Sequence, residues 1–147
     1  MELAERLYPD VEEAMRDYLL TESLYILGQG NEELPVFIQD FPPNEGESAG
    51  KYAVAVNVRE TSGFSWKDLP INQPSIQIWA RAPKPGDAKM ILSRIYSLLE
   101  KFGPADLNEE VFAYNISMNT GRQRLDDLDN AELAQYFMIF DMIVRLC

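Results

Sequence analysis

The run "SIQIWARAPKPGDAKMILSRIYSLLEKFG", residues 75–103, constrains the fold most, because its apolar period changes within a few residues. Ile76, Ile78 and Ala80 alternate with Gln77, Trp79 and Arg81, the period of two of a β-strand. "PKPG" breaks that pattern, and Asp87 is read as the N-cap of the helix that follows. Ala88, Ile91, Leu92, Ile95, Leu98, Leu99 and Phe102 then make one apolar stripe, while Lys89, Ser93, Arg94, Ser97, Glu100 and Lys101 fill the wet face. Gly103 and Pro104 end the helix in the usual way. A strand turned tightly into a helix with one apolar face requires a sheet for that helix to lie on.

The remaining elements follow from the same periodicities. Val11, Met15, Tyr18 and Leu19 share one face of a helix predicted over 9–21, and Glu12 and Glu13 suit the positive end of its dipole. "SLYILGQG" reads equally as a short strand or as that helix's last turn. "LPVFIQDF" reads as a short strand, with Pro35 near its start where a missing N–H is tolerated. From Tyr52 to Glu60, Tyr52, Val54, Val56 and Val58 alternate with Ala53, Ala55, Asn57 and Arg59. "EEVFAYNISM" alternates again, with Phe112, Tyr114, Ile116 and Met118 on one side. In the closing "LAQYFMIFDMIVRLC", Asp141 and Arg145 stand four apart as on a helix. Its aromatic and β-branched density nevertheless favours a strand, and two largely apolar faces suggest one covered on both sides. The expected architecture is one α+β domain over 1–147: a mixed, mostly antiparallel sheet packed by two main helices. Mobile loops are expected at 41–51, 61–74 and 119–131.

"GESAGKY", residues 46–52, resembles a phosphate-binding loop but fails its chemistry. Only three residues separate Gly46 from Gly50, one short of the spacing that wraps backbone N–H groups around phosphates, and Tyr52 stands where a metal-binding hydroxyl belongs. A strand rather than a helix follows it. The chain has no histidine and one cysteine, Cys147, so ordinary zinc sites and Ser-His or Cys-His pairs cannot be built. Carboxylates, Lys and Tyr remain as acid–base groups. "DDLDNAE" at 126–132 lacks the Gly and Glu spacing of a calcium loop, and the "NIS" sequon at 115–117 falls in a predicted strand. These readings predict no catalytic residues, no cofactor and no metal. No apolar run reaches membrane-spanning length, the acidic, polar start is unlike a secretory leader, and a lone cysteine suits a reducing compartment.

Charge and aromatics then suggest contact surfaces. The formal net charge is −11, and residues 1–40 carry ten acids against two bases. A surface of that sign repels phosphate backbones. Arg81, Lys84, Lys89 and Arg94 against Asp87 make one basic stretch, read as a solvated helix face or as a contact for an acidic partner such as the N-terminal region of another copy. The loop-like 61–74 carries Phe64, Trp66 and Leu69, which either anchor an interface or fold back on the core. Glu45 and Glu47 lie in the acidic loop at 44–50. Interface candidates are therefore Phe64, Trp66, Leu69, Arg81, Lys84, Lys89, Glu45 and Glu47.

In the strand–turn–helix of 75–103, the closing "RQRLDDLDNAELAQYFMIFDMIVR" and the opening helix, the sequence resembles the tail terminator (tail completion, minor capsid) proteins of long-tailed bacteriophages. These parts cover most of the chain at the level of pattern and offer no signature residue. The resemblance implies a hexameric ring at the head-proximal end of the tail, built in the host cytoplasm, touching the tail tube protein and the head–tail connector. DNA would pass through without specific binding, helped by an acidic lining, with neither catalysis nor membrane involved. The alternatives are a head–tail connector or closure protein, a small acidic protein-binding module (which would favour a monomer with acids in regular rows, where these acids cluster in one helix and several loops), and an enzyme relying on Asp, Glu or Tyr.

Overall fold

A computed structural model describes residues 8–28, 33–43, 50–66, 69–127 and 132–147. The order is α1 (Val11–Thr21), α2 (Ser23–Leu27), β1 (Val36–Ile38), β2 (Ala55–Ser65), β3 (Asn72–Ala82), α3 (Pro85–Glu100), β4 (Ala105–Asp106), β5 (Val111–Arg124) and β6 (Ala134–Leu146). The six strands form one sheet in the order β1-β2-β3-β6-β5-β4, curled as a half-barrel. Only β1 and β2 run parallel; every other pair is antiparallel. The expected α+β fold with a mostly antiparallel sheet is the one observed.

Helix α1 starts at Val11 because the Asp10 carboxylate accepts from the Glu13 N–H at 3.1 Å, satisfying one orphan donor of the first turn. Its Val11, Ala14, Met15 and Leu19 are buried, and Tyr18 meets Phe102 edge-on at 4.8 Å. "SLYIL" resolves as helix: α2 turns once and closes on Gly28, whose φ of 79° suits a residue without Cβ. Arg94 of α3 donates to the Ile26 carbonyl at 2.9 Å and pins α2 there. A Cβ at Gly28 would stand 2.5 Å from that guanidinium.

Helix α3 starts earlier than the sequence suggests. Its N-cap is Lys84, with proline in the first turn, because proline's fixed φ is preorganised there and its missing N–H costs nothing. Asp87 lies inside the first turn rather than at the cap. The predicted stripe is otherwise observed: Ala88, Ile91, Leu92, Ile95 and Leu99 are buried, and Leu98 and Phe102 pack against them half-buried.

The core lies between these helices and one sheet face, where Val56, Val58, Ile76, Ile78, Ala80, Met138, Phe140, Met142 and Val144 are buried. The closing segment is a strand, and it sits centrally between β3 and β5. Strand β5 departs from simple alternation. Val111, Ala113 and Ile116 are buried, whereas Tyr114 and Met118 are exposed. Register shifts between Ala113 and Asn115 and between Met118 and Thr120 insert extra residues, which re-aim every later side chain.

Two expected loops are shorter than their composition suggests. Of 61–74, residues 61–65 belong to β2 and 72–74 to β3, with Ser65 opposite Asn72. Of 119–131, residues 119–124 extend β5 along β6, with Gln123 opposite Phe137. Backbone pairing along a curled hairpin satisfies these polar residues, so polarity alone misplaces the strand ends. Conversely, β2 begins at Ala55, leaving Tyr52 to Val54 outside the strand.

Candidate functional site

The interface candidates divide between the two ends of β3. Trp66 and Leu69 sit between β2 and β3, 47% and 46% exposed, where the Trp66 N–H donates to the Ile71 carbonyl at 3.0 Å. The Phe64 backbone pairs with Gln73 in the same hairpin. Lys84 and Lys89 are exposed at the opposite end, on the first turns of α3. Eleven residues of β3 lie between, roughly 35 Å of extended chain. The aromatic tip and the basic patch are therefore two surfaces. Glu45 and Glu47 lie outside the described residues.

Arg81 does not belong to an exposed basic face. It is 1% exposed, and its two terminal nitrogens donate to the Pro42 carbonyl at 3.1 Å and the Tyr52 carbonyl at 2.6 Å. The guanidinium also lies 4.6 Å from the Phe41 ring centre. Burial lowers its pKa, partly opposed by Asp127. Arg81 thus ties both described ends of the excursion between β1 and β2 onto the helix-free sheet face. Arg94, the other base of that stretch, is spent on α2. The side chains of Lys84 and Lys89 are what remain of the basic patch.

On the helix-free face, Asn57 is opposite Phe37 on one side and Trp79 on the other, and Trp79 stacks on Phe137 at 4.6 Å. Asn57 is 1% exposed, and among the described residues neither atom of its amide has a partner; nor does Arg81 Nε. Each such group costs about 1–3 kcal/mol. Further along this face a half-open groove of about 520 Å³ is lined by Ser62, Gln73, Ser75, Asn115, Ser117 and Asp141, among others. Asp141 accepts from Ser75 Oγ at 2.6 Å and from Asn119 at 2.9 Å, so both its oxygens serve to hold strands β3, β5 and β6 together.

An acidic cluster brackets the other lateral edge. Glu12 accepts from the Glu60 N–H at 2.9 Å and from Gln39. Glu60 has its pKa raised, first by burial and then by Glu12 and Asp10, with a hydrogen bond from Tyr8 opposing. Burial and Glu60 push Tyr8 up to about 12. A carboxyl whose folded pKa lies above its unfolded value binds a proton more tightly when folded. Its ionised form therefore weakens the fold, and stability rises as pH falls through the raised value towards the ordinary one. Glu60→Gln should raise the unfolding free energy at pH 7, by no more than about 0.5 kcal/mol because the group is partly solvated. The gain should vanish near pH 4; scanning calorimetry at both pH values tests it, and an equal effect at both would contradict it.

Two further surfaces were not legible in the sequence. Tyr18, Tyr25, Leu98, Phe102 and Pro104 line an open groove of about 570 Å³ at the C-terminal end of α3. At the other end of that helix, Met90 is 51% exposed and Leu125 61%. Only the packing of α1 and α2 beside α3 creates the groove, so no local pattern announces it. Among the described residues, no three His, Cys, Asp or Glu side chains are placed to hold a metal ion, and no helix is long and apolar enough to cross a membrane.

No protein-family model matches this sequence, and no curated protein matches it. Among solved structures, a chain of the virion of a native gene transfer agent particle shares the fold, with a TM-score of 0.59 at 14% identity. The match covers 90% of this chain and 93% of that one.

Proposed function

We propose that this chain is a structural protein of a phage-like virion that assembles as a ring, hexameric in number, at the head-proximal end of the tail. There it caps the tail tube and presents a surface to the head–tail connector. The observation that carries this reading is the shared fold with a virion chain over nearly the full length of both. The resemblance of the strand–turn–helix and of the closing strand to tail terminator proteins supports the finer role. So does the arrangement of the surfaces: the exposed aromatic tip, the basic patch and the aromatic groove stand at the ends of a rigid sheet, suited to contacts with neighbours. Acids facing a central passage would keep DNA from adhering as it moves through. The assembled protein acts through shape and charge, without catalysis.

Trp66 is the residue to test. Trp66→Ala should leave the fold intact, with less than about 0.5 kcal/mol lost, because the side chain is half exposed. The variant should fail to cap tail tubes, so that tubes polymerised from the cognate tube protein grow past their natural length in its presence. Tube lengths in negative-stain micrographs give the readout. A variant that caps like the parent would overturn the role of the tip. Failure of the parent itself to bind tubes, with binding to the connector alone, would replace the terminator reading by the connector one.

A further inference from the structure

We infer that copies of this chain join edge to edge, β5 of one adding as an antiparallel strand to β2 of the next, so that one sheet continues around the assembly. The inference rests on the ring reading and says how neighbouring copies meet.

The sheet has two open edges. On its outer side β5 is covered by β4 only at Phe112 and Ala113. From 115 to its end at Arg124, no strand among the described residues pairs with that side. On the opposite edge β1 covers β2 only at 56–58, and Glu12 takes the Glu60 N–H. Beyond it, 61–65 have β3 on the inner side and no strand among the described residues on the outer one. A row of free N–H and C=O groups of this kind is a template for another strand. Bulges bend β5 on either side of 115–118, but those four residues pair without a break with 140–143. On β2, 62–65 likewise pair without a break with 72–75. Each open edge therefore offers one regular run of equal length.

The occupant of one edge is the other edge of a second copy, because the two match in direction, face and charge. From β2 through β3 and β6 to β5 the chain direction reverses at every step, so β5 runs against β2. A rotation that carries one copy onto the next keeps that relation, and β5 meets the neighbouring β2 antiparallel, the more stable ladder. Ser62 on one edge and Ser117 and Asn119 on the other line the same helix-free groove, so small polar side chains meet on that face. On the helix side Met118, opposite Phe140, is exposed, and so is Tyr8, which hydrogen-bonds Glu60. Apolar surface thus meets apolar surface there. The antiparallel sense also brings the Arg122 end of β5 towards the Glu60 end of β2. Residues 115–124 contain no acid; Arg124 is held by Asp126, whereas Arg122 is exposed and makes no ion pair among the described residues. Residues 61–65 carry no charge, Glu12 and Glu60 stand beside them, and the adjacent Arg59 is held by Asp40 at 3.2 Å. Main-chain hydrogen bonds supply the contact, and the side chains select its register. The edges differ, so the contact is heterologous and closes into a ring when its rotation divides the circle.

Disulfide trapping tests this in full-length protein carrying Cys147→Ser, which removes the one native cysteine. One preparation adds Ser62→Cys; a second, enlarged by a tag, adds Ser117→Cys or Asn119→Cys. All three positions are exposed, and circular dichroism verifies that each variant folds. Within one copy β2 and β5 lie three strand spacings apart, about 14 Å, too far for an internal disulfide. Oxidation at concentrations where the parent associates in sedimentation velocity should give the mixed dimer in at least one of the two pairings. A protein carrying both cysteines of that pairing should give a ladder beyond the dimer, which is lost when either cysteine is left out. The inference is overturned if only symmetric dimers form, if neither pairing cross-links, or if the parent stays monomeric at all concentrations. Cross-linking of Ser65→Cys to Asn119→Cys would mean a parallel joint and would overturn it too. In those cases the tube-capping assay still decides separately whether the chain is a tail protein.

Discussion

Replacing Arg81 with alanine is expected to lower the unfolding free energy by about 3 kcal/mol, a large fraction of what holds a domain of this size together. The side chain is 1% exposed and supplies charge-assisted hydrogen bonds to the carbonyls of Pro42 and Tyr52. Truncation leaves both carbonyls without that donor, opens a cavity and removes the cation beneath Phe41. Guanidine denaturation should show the midpoint falling with an unchanged slope. Trypsin should also cut faster after Lys51, which is exposed next to the released Tyr52. Arg81→Met separates packing from hydrogen bonding. Among the described residues Arg81 Nε has no partner, so burying the cation already carries a penalty, and the methionine variant should lose only about half as much. Equal losses in the two variants would mean that packing contributes nothing.

Phe140→Ala should cost about 4 kcal/mol, the larger of the two effects. Phe140 is 1% exposed and lies at the middle of β6, with Ile76 opposite on β3 and Met118 opposite on β5. It points into the core between the sheet and the helices, where no water can refill the space it leaves. For a chain of this length the thermal midpoint should drop by roughly 10 °C. Phe140→Leu preserves most of the volume and should cost less than about 1.5 kcal/mol. Scanning calorimetry on the three proteins distinguishes cavity formation from a general intolerance of change in β6.

The fold was legible where burial imposes a period. Alternation in β3 and β6 and the stripe on α3 each report one face turned to the core, and all three appear where the sequence places them. Strand β5 misled because its bulges change the period partway: Ala113 is buried before the first shift and Ile116 after it, three positions on. The hairpin arms at 61–65 and 119–124 misled because their backbones pair as strands while their side chains are polar, and polar side chains look like loop. Among the interface candidates, the exposure of Trp66 and Leu69 was legible from their place next to polar turn residues. Arg81 was not: its alternation with Trp79 marks the helix-free face correctly, but nothing local says that Phe41, Pro42 and Tyr52 come to cover it. The groove at Tyr18 and Phe102 joins residues 84 positions apart in the chain, beyond the reach of any local pattern.

These observations bear on function through one idea, that the molecule works by the surfaces it presents at the two ends of its sheet to other proteins of a virion. Gold-labelled antibody against this chain, applied to purified particles and viewed by electron microscopy, addresses that idea most directly. The account predicts label on every intact particle, gathered at the junction between head and tail. Particles that carry no label, while the protein remains abundant in the lysate from which they were purified, would contradict it.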